Sequence, residues 1–148
     1  MNKKLWLGFV VVFVVVSVLD FIINMYLMAG VYQETKALWR PEAEMKLWLI
    51  YVCEAFFAFF FTLIFAKGYE GKGWMEGIRY GLYTSLLINV PSAYMTYATQ
   101  PVPYALALEW FLYGTVKFLV VGVLLALIYG TKGAAAPVKQ PAGAGAAA

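Results

Sequence analysis

The chain has 148 residues, of which 64% are hydrophobic and 13% charged, and its formal net charge is +3. Soluble domains contain about 45–50% apolar and about 25% charged residues, so this composition excludes an ordinary water-soluble domain and indicates solvation by lipid. The absence of histidine and the single cysteine exclude intramolecular disulfides, His-ligated haem, Ser-His-Asp and Cys-His catalysis and the usual zinc sites.

Four apolar stretches are long enough to cross a bilayer, whose core of about 30 Å needs about 20 helical residues. They cover approximately residues 5–28, 46–66, 77–97 and 105–129. The first follows two lysines, as a signal peptide would, but it exceeds the usual length of about 7–15 apolar residues and no small-residue cleavage site follows it. We interpret it as an uncleaved anchor helix. The prediction is an all-α polytopic membrane protein, a bundle of four transmembrane helices within residues 1–130.

Each predicted span carries a polar side chain that is unusual in lipid. At a rise of about 1.5 Å per residue, Asp20, Glu54, Asn89 and Lys117 lie at similar depths of about 12–18 Å from one face. An ammonium at the bilayer centre costs about 2.5–3.5 kcal/mol, so Lys117 should face inward and pair with Asp20 or Glu54, with Asn24 and Asn89 as further hydrogen-bond partners. Because two acids and one base leave a negative charge, one carboxylate should hold a proton or bind a cation.

Small residues recur at every fourth position of the third predicted helix. The series is Gly73, Gly77, Gly81, Ser85, Asn89 and Ala93. The fourth helix carries Gly114 and Gly122 at helical spacing. Small residues at this spacing let helix backbones approach closely in lipid. We therefore predict that Gly77, Gly81, Ser85, Gly114 and Gly122 are helix-packing residues.

A shift of 62 residues aligns similar residues without a gap. The shared motif is P-x6-W-x2-Y, which occurs as Pro41, Trp48 and Tyr51 and again as Pro103, Trp110 and Tyr113. A tandem duplication of a helical hairpin would explain this pattern. Convergent helix starts explain it equally well, because proline begins a helix without its N–H and Trp and Tyr anchor at headgroups.

Basic residues are distributed unequally between the two sides of the predicted bundle. One side holds Lys3, Lys4, Lys67, Lys72, Arg79, Lys132 and Lys139, and the other holds Lys36, Arg40 and Lys46. The positive-inside rule therefore predicts a multi-pass protein of the cell inner (plasma) membrane with both termini in the cytoplasm. Residues 131–148 are rich in Ala, Gly and Pro, which predicts a disordered cytoplasmic tail.

The stretches "KGYEGKGWMEGIRYGLY" and "NVPSAYMTYATQPVPYALALEWFLYG" are similar to those of small bacterial four-helix integral membrane proteins of unknown function. The matching positions are Gly77, Arg79, Tyr80, Gly81, Pro91, Tyr97, Pro101, Pro103, Trp110 and Gly114. The resemblance covers about residues 1–130. It implies four transmembrane helices and carries no activity with it.

Two function classes follow from these features. The first is a non-enzymatic integral membrane protein, a packed bundle or an accessory subunit, whose partners are the lipid bilayer and either further copies in a homo-oligomer or a larger membrane complex. The alternative is a small proton- or ion-coupled transporter or channel that uses a buried layer of Asp20, Glu54 and Lys117. We expect no enzyme activity, no cofactor and no metal, and the charge gives little support for nucleic-acid binding. A wet cavity lined by the three charges would favour transport, and a dry, paired arrangement would favour structure.

Overall fold

The structure is a computed structural model that describes residues 2–130, so the tail predicted at 131–148 lies outside the described residues. Five α-helices follow one another: α1 Lys3–Ile22, α2 Ala29–Glu34, α3 Leu47–Gly68, α4 Trp74–Thr99 and α5 Tyr104–Tyr129. A π-helical turn, Ile23–Leu27, extends α1, and two 3-10 turns, Lys36–Leu38 and Glu42–Glu44, lie between α2 and α3. Within residues 2–130 there is no β-strand, so the predicted all-α class is confirmed.

When the π-helical turn is counted with α1, the long helices begin and end within three residues of the stretches predicted from hydropathy; α1 itself ends six residues before its predicted end. Three of the described helical stretches are long and apolar enough to cross a membrane: Lys3–Leu27, Leu47–Gly68 and Tyr104–Tyr129. The remaining long helix, α4, has the same length of 26 residues as α5 but is less hydrophobic. Its lower hydropathy comes from its small and polar residues. The helix continues through Pro91 without interruption.

The chain forms antiparallel pairs that share one core. Helix α4 lies along α5, and α1 packs against both α3 and α5. Helix α3 meets α4 and α5 mainly through rings, with centroids 4.6 Å apart for Phe61 and Tyr80 and 4.9 Å apart for Phe57 and Phe118. Such bulky contacts keep the backbone of α3 farther from its neighbours than glycines would.

We call the end of the bundle that holds Asn2, residues 69–73 and Gly130 the terminal end. The Lys4 Nζ donates a hydrogen bond to the Tyr129 carbonyl oxygen at 2.8 Å, and the Tyr69 hydroxyl donates to the carbonyl oxygens of Tyr129 and Gly130. These bonds satisfy carbonyls that the end of α5 leaves without intrahelical partners. Gly130 has φ 76°, a left-handed conformation that glycine adopts at helix ends.

The opposite end, which we call the cap end, holds residues 28–46 and 100–103. A second apolar cluster closes it around Met28, Val102 and Leu106, which are at most 4% exposed. Trp39 and Trp110 pack beside this cluster with their ring centroids 6.1 Å apart. The segment after the first span is therefore folded onto the bundle.

Candidate functional site

The single basic residue inside α5 forms an ion pair with α1. The Lys117 Nζ lies 2.6 Å from Asp20 Oδ1, and the two side chains are 17% and 23% exposed. Lys117 stands midway along α5, and Asp20 lies two residues before the end of α1. Of the two acids that the sequence offers as partners, the structure selects Asp20. The bond joins α1 to α5.

The second acid, Glu54, lies apart from this ion pair. Glu54 is 8% exposed, and its Oε2 accepts a hydrogen bond of 2.5 Å from the Ser17 hydroxyl of α1. Ser17 and Asp20 are three residues apart, so they share one side of α1. Within residues 2–130 no basic group lies within salt-bridge distance of Glu54. The three charges thus form one neutral pair and one separate carboxyl.

Asn24 does not bond to Lys117, and that expectation is wrong. Its Nδ2 donates to the backbone carbonyl of Asp20 at 2.8 Å, and its Oδ1 accepts from the Tyr32 hydroxyl at 2.8 Å. The physical reason is that Asn24 lies in the π-helical turn, which directs its side chain toward the cap. Tyr32 also accepts from Trp110 Nε1 at 2.9 Å.

Tyr32 belongs to α2, and its phenol lies at the cap end. Burial raises its pKa; the Trp110 hydrogen bond opposes this shift, and the negative charges of Asp20 and Glu109 add to it. The hydroxyl therefore keeps its proton and remains the donor to Asn24.

The expectation that Asn89 bonds to Lys117 is also wrong. Its Nδ2 donates to Ser85 Oγ at 3.0 Å, and Ser85 shares a hydrogen bond of 2.8 Å with the Thr115 hydroxyl. A Cβ added to Gly114 would lie 2.7 Å from the Asn89 amide, so this amide covers Gly114. The reason is that Asn89 belongs to the contact between α4 and α5, whereas the Lys117 ammonium turns toward α1.

The predicted packing residues all lie where α4 meets α5. A Cβ on Gly77 would stand 2.3 Å from the Gly122 carbonyl oxygen, and one on Gly81 would stand 2.4 Å from the Phe118 carbonyl oxygen. Ser85 is fully buried between the same helices. Only glycine allows backbones to approach this closely.

A third buried acid, Glu76, was missed by the sequence reasoning. It is 8% exposed at the terminal end, where Oε1 accepts from the Glu70 N–H at 2.5 Å and Oε2 accepts from the N–H groups of Gly71 and Lys72 at 2.9 and 2.8 Å. Gly71 and Gly73 hold the turn with φ values of 85° and 80°. The available signal was a Gly-x-Gly turn with an acid in the first turn of the next helix. Glu76 thus fixes the α3–α4 connection.

The interface between Glu54 and the terminal end is filled with apolar side chains. Val12 and Ala58 are 0% exposed and Val16 is 2% exposed. The Thr62 hydroxyl, farther along α3, is buried with no hydrogen-bond partner in the described part of the chain. No group of three or more His, Cys, Asp or Glu that could hold a metal lies within residues 2–130. The polar side chains therefore serve as separate links between helices.

Comparisons with known proteins give no match: no protein-family model, curated protein or solved structure is similar to this chain.

Proposed function

We propose that this protein is a non-enzymatic, four-span integral membrane protein that acts as an accessory subunit of a larger membrane complex. Its buried polar groups link its own helices: Asp20 and Lys117 join α1 to α5, and Ser17 and Glu54 join α1 to α3. Each bond connects two helices that hydrophobic burial does not hold together in lipid. The dry packing of Val12, Val16 and Ala58 favours this function over a conducting path.

The fourth span of the proposal is α4. Helix α4 packs on α5 from Gly77 opposite Gly122 to Tyr94, whose ring centroid is 6.2 Å from that of Phe111. A helix that accompanies an antiparallel transmembrane partner over most of its length must cross the bilayer with it. Its polar residues do not oppose this, because Ser85 and Asn89 face α5.

The proposed location is the inner membrane with the terminal end in the cytoplasm. This end carries Lys3, Lys4, Lys67, Lys72 and Arg79, as the positive-inside rule requires of cytoplasmic segments. The cap end then faces outward, with Trp39, Trp48 and Trp110 near the headgroups.

The observation that carries a role as a subunit is the exposure of about the first third of α3. Every residue from Leu47 to Cys53 is exposed, whereas Glu54 and the helix beyond it pack against α1. This exposed stretch, about 10 Å long, has no face against its own bundle. It also contains Tyr51, 53% exposed, whose hydroxyl gains a hydrogen-bond partner only from outside these helices. We propose that a transmembrane helix of another protein packs here.

Site-specific photocrosslinking in native membranes tests this proposal. A photoreactive amino acid at Ile50, in the exposed first third of α3, should give one defined protein adduct by mass spectrometry. The matched control is Val14 on α1, which is equally exposed at 51% but lies on a helix packed against two neighbours. Val14 should give lipid adducts alone. Lipid adducts alone at both positions, or an adduct at Ile50 to a second copy of this chain, would contradict the accessory role.

We also propose that the hairpins α1–α3 and α4–α5 derive from one duplicated hairpin. Both copies of the motif P-x6-W-x2-Y lie at the cap end, where α3 and α5 begin, which supports this origin. Pro103 directly precedes α5, whereas Pro41 lies six residues before α3. Sequences of relatives provide the test. If the 62-residue shift aligns their two halves no better than other shifts do, the duplication is contradicted.

A further inference from the structure

Glu54 is a buried carboxyl that lacks a counter-ion. In the sequence, residues 47–66 contain no basic residue, and residues 80–130 contain only one, Lys117. Its ammonium is held by Asp20 at 2.6 Å. The polar contact that the structure gives Glu54 is the Ser17 hydroxyl, which is uncharged. A carboxylate with one neutral donor remains a net negative charge inside the membrane.

That charge is unfavourable in lipid. A charged side chain at the centre of a membrane helix costs about 2.5–3.5 kcal/mol on insertion scales. A carboxyl that binds a proton avoids this cost and still accepts the Ser17 hydrogen bond. We propose that Glu54, held by Ser17, is a proton-binding site: the oxygen that Ser17 does not contact carries the proton.

The neighbouring titratable groups do not compete for this role. Asp20 is the titratable side chain that α1 contributes at this depth, and Lys117 is the one that α5 contributes. Their opposite charges neutralise each other. Helix α5 carries Tyr113 and Glu109 farther toward the cap, and the Glu109 Oε2 is buried with no hydrogen-bond partner in the described part of the chain. On α4 the titratable side chain at comparable depth is Tyr83, which is 66% exposed and faces away from the bundle.

The packing around Glu54 differs on its two sides. Asp20, Lys117 and Glu54 keep exposed fractions of 23%, 17% and 8%, and residues 47–53 beyond them are exposed. On the other side Val12 and Ala58 are completely buried. The site is therefore closed toward the terminal end. Binding of a proton goes beyond the proposed accessory role and does not rest on it.

A hydrophobic carbodiimide tests the proposal on the full chain in native membranes. The protonated carboxyl adds across one C=N bond of the reagent: its oxygen bonds to the central carbon and its proton moves to a nitrogen. The acyl group then migrates to nitrogen and gives a stable N-acylurea, with no leaving group. Peptide mass spectrometry should find Glu54 heavier by the whole reagent.

Two acids in the same chain serve as internal controls. Asp20, paired with Lys117, and Glu76, which accepts three backbone hydrogen bonds, should remain unlabelled. The protein in liposomes should conduct no more protons than empty liposomes. Labelling of Asp20 in place of Glu54, no labelling of Glu54 at any pH, or protection of Glu54 by Na⁺ would overturn the proposal. These readouts are independent of partner crosslinking at Ile50.

Discussion

Lys117 shows how one side chain can set the position of a helix. An ammonium in the middle of α5 is tolerated because Asp20 stands 2.6 Å away, and Asp20 in turn is held at the end of α1, where Asn24 bonds to its backbone carbonyl. The pair is not fully enclosed, since 17% and 23% of the two side chains remain exposed. Removing one partner of this pair should therefore cost less free energy of unfolding than breaking a fully buried ion pair.

Lys117→Met should lower the free energy of unfolding by roughly 2 kcal/mol, because it leaves the Asp20 carboxylate without its cation. Asp20→Asn should have a similar effect, since it strands the ammonium. The double variant should lose clearly less than the sum of the two single losses. Unfolding of the purified protein in micelles measures the free energy of unfolding of the wild type, the two single variants and the double variant. Additive losses would show that the pair does not contribute as a unit.

At the scale of elements, α4 and α5 are held together by a geometry that only small residues allow. A Cβ on either Gly77 or Gly122 would stand 2.3 Å from the carbonyl oxygen of the other glycine. The hydrogen bond between Ser85 and Thr115 lies farther along the same contact. By contrast, α3 meets its neighbours through phenylalanine rings. The two kinds of contact explain why α4 and α5 form a tight hairpin while about a third of α3 has no neighbour in the bundle.

Gly81→Ala should destabilise the protein by about 1–3 kcal/mol, because the new Cβ would lie 2.4 Å from the Phe118 carbonyl oxygen and must separate α4 from α5. The matched control is Gly68→Ala at the end of α3, where no atom lies within 4 Å of the added Cβ. Alanine favours helix by up to about 1 kcal/mol, so this control should be neutral or slightly stabilising. Thermal unfolding in micelles compares the stabilities of the two variants with that of the wild type. Equal losses at both glycines would contradict the close contact.

At the scale of the whole molecule, the two ends of the bundle are built differently. The terminal end is closed by hydrogen bonds to backbone groups: Lys4 and Tyr69 donate to the last carbonyls of α5, and Glu76 accepts from three N–H groups. The cap end is closed by an apolar cluster and tryptophans. The terminal end carries Lys3, Lys4, Lys67, Lys72 and Arg79, and the cap end carries Lys36, Arg40 and Lys46, which is the kind of asymmetry that the positive-inside rule describes.

Reporter fusions should place the terminal end in the cytoplasm. A fusion after Lys72, in the α3–α4 turn, and a fusion after Gly130 should both report the inside, and a fusion at Gln100 should report the outside. The result at Gln100 depends on α4 crossing the bilayer. An inside signal there would remove α4 from the spans, and an outside signal after Lys72 would reverse the orientation.

The sequence by itself determined the all-α class, the positions of the long helices and the residues that line the α4–α5 contact. These properties are local. The length of an apolar run marks a helix that lipid can surround, and a four-residue spacing places small side chains on one face whatever the rest of the fold does. Gly77, Gly81 and Ser85 could therefore be assigned to packing before their partners were known.

Only the tertiary structure decided which polar groups meet. Asp20 and Glu54 lie at nearly equal depth, so depth alone made either acid a partner for Lys117. The choice depends on how α1 is rotated: it presents Asp20 to α5 and Ser17 to Glu54 of α3. The π-helical turn turns Asn24 toward the cap, and the glycine contacts hold Asn89 over Gly114. Rotation and register arise from side chains of several helices packing together, and hydropathy along one helix does not encode them.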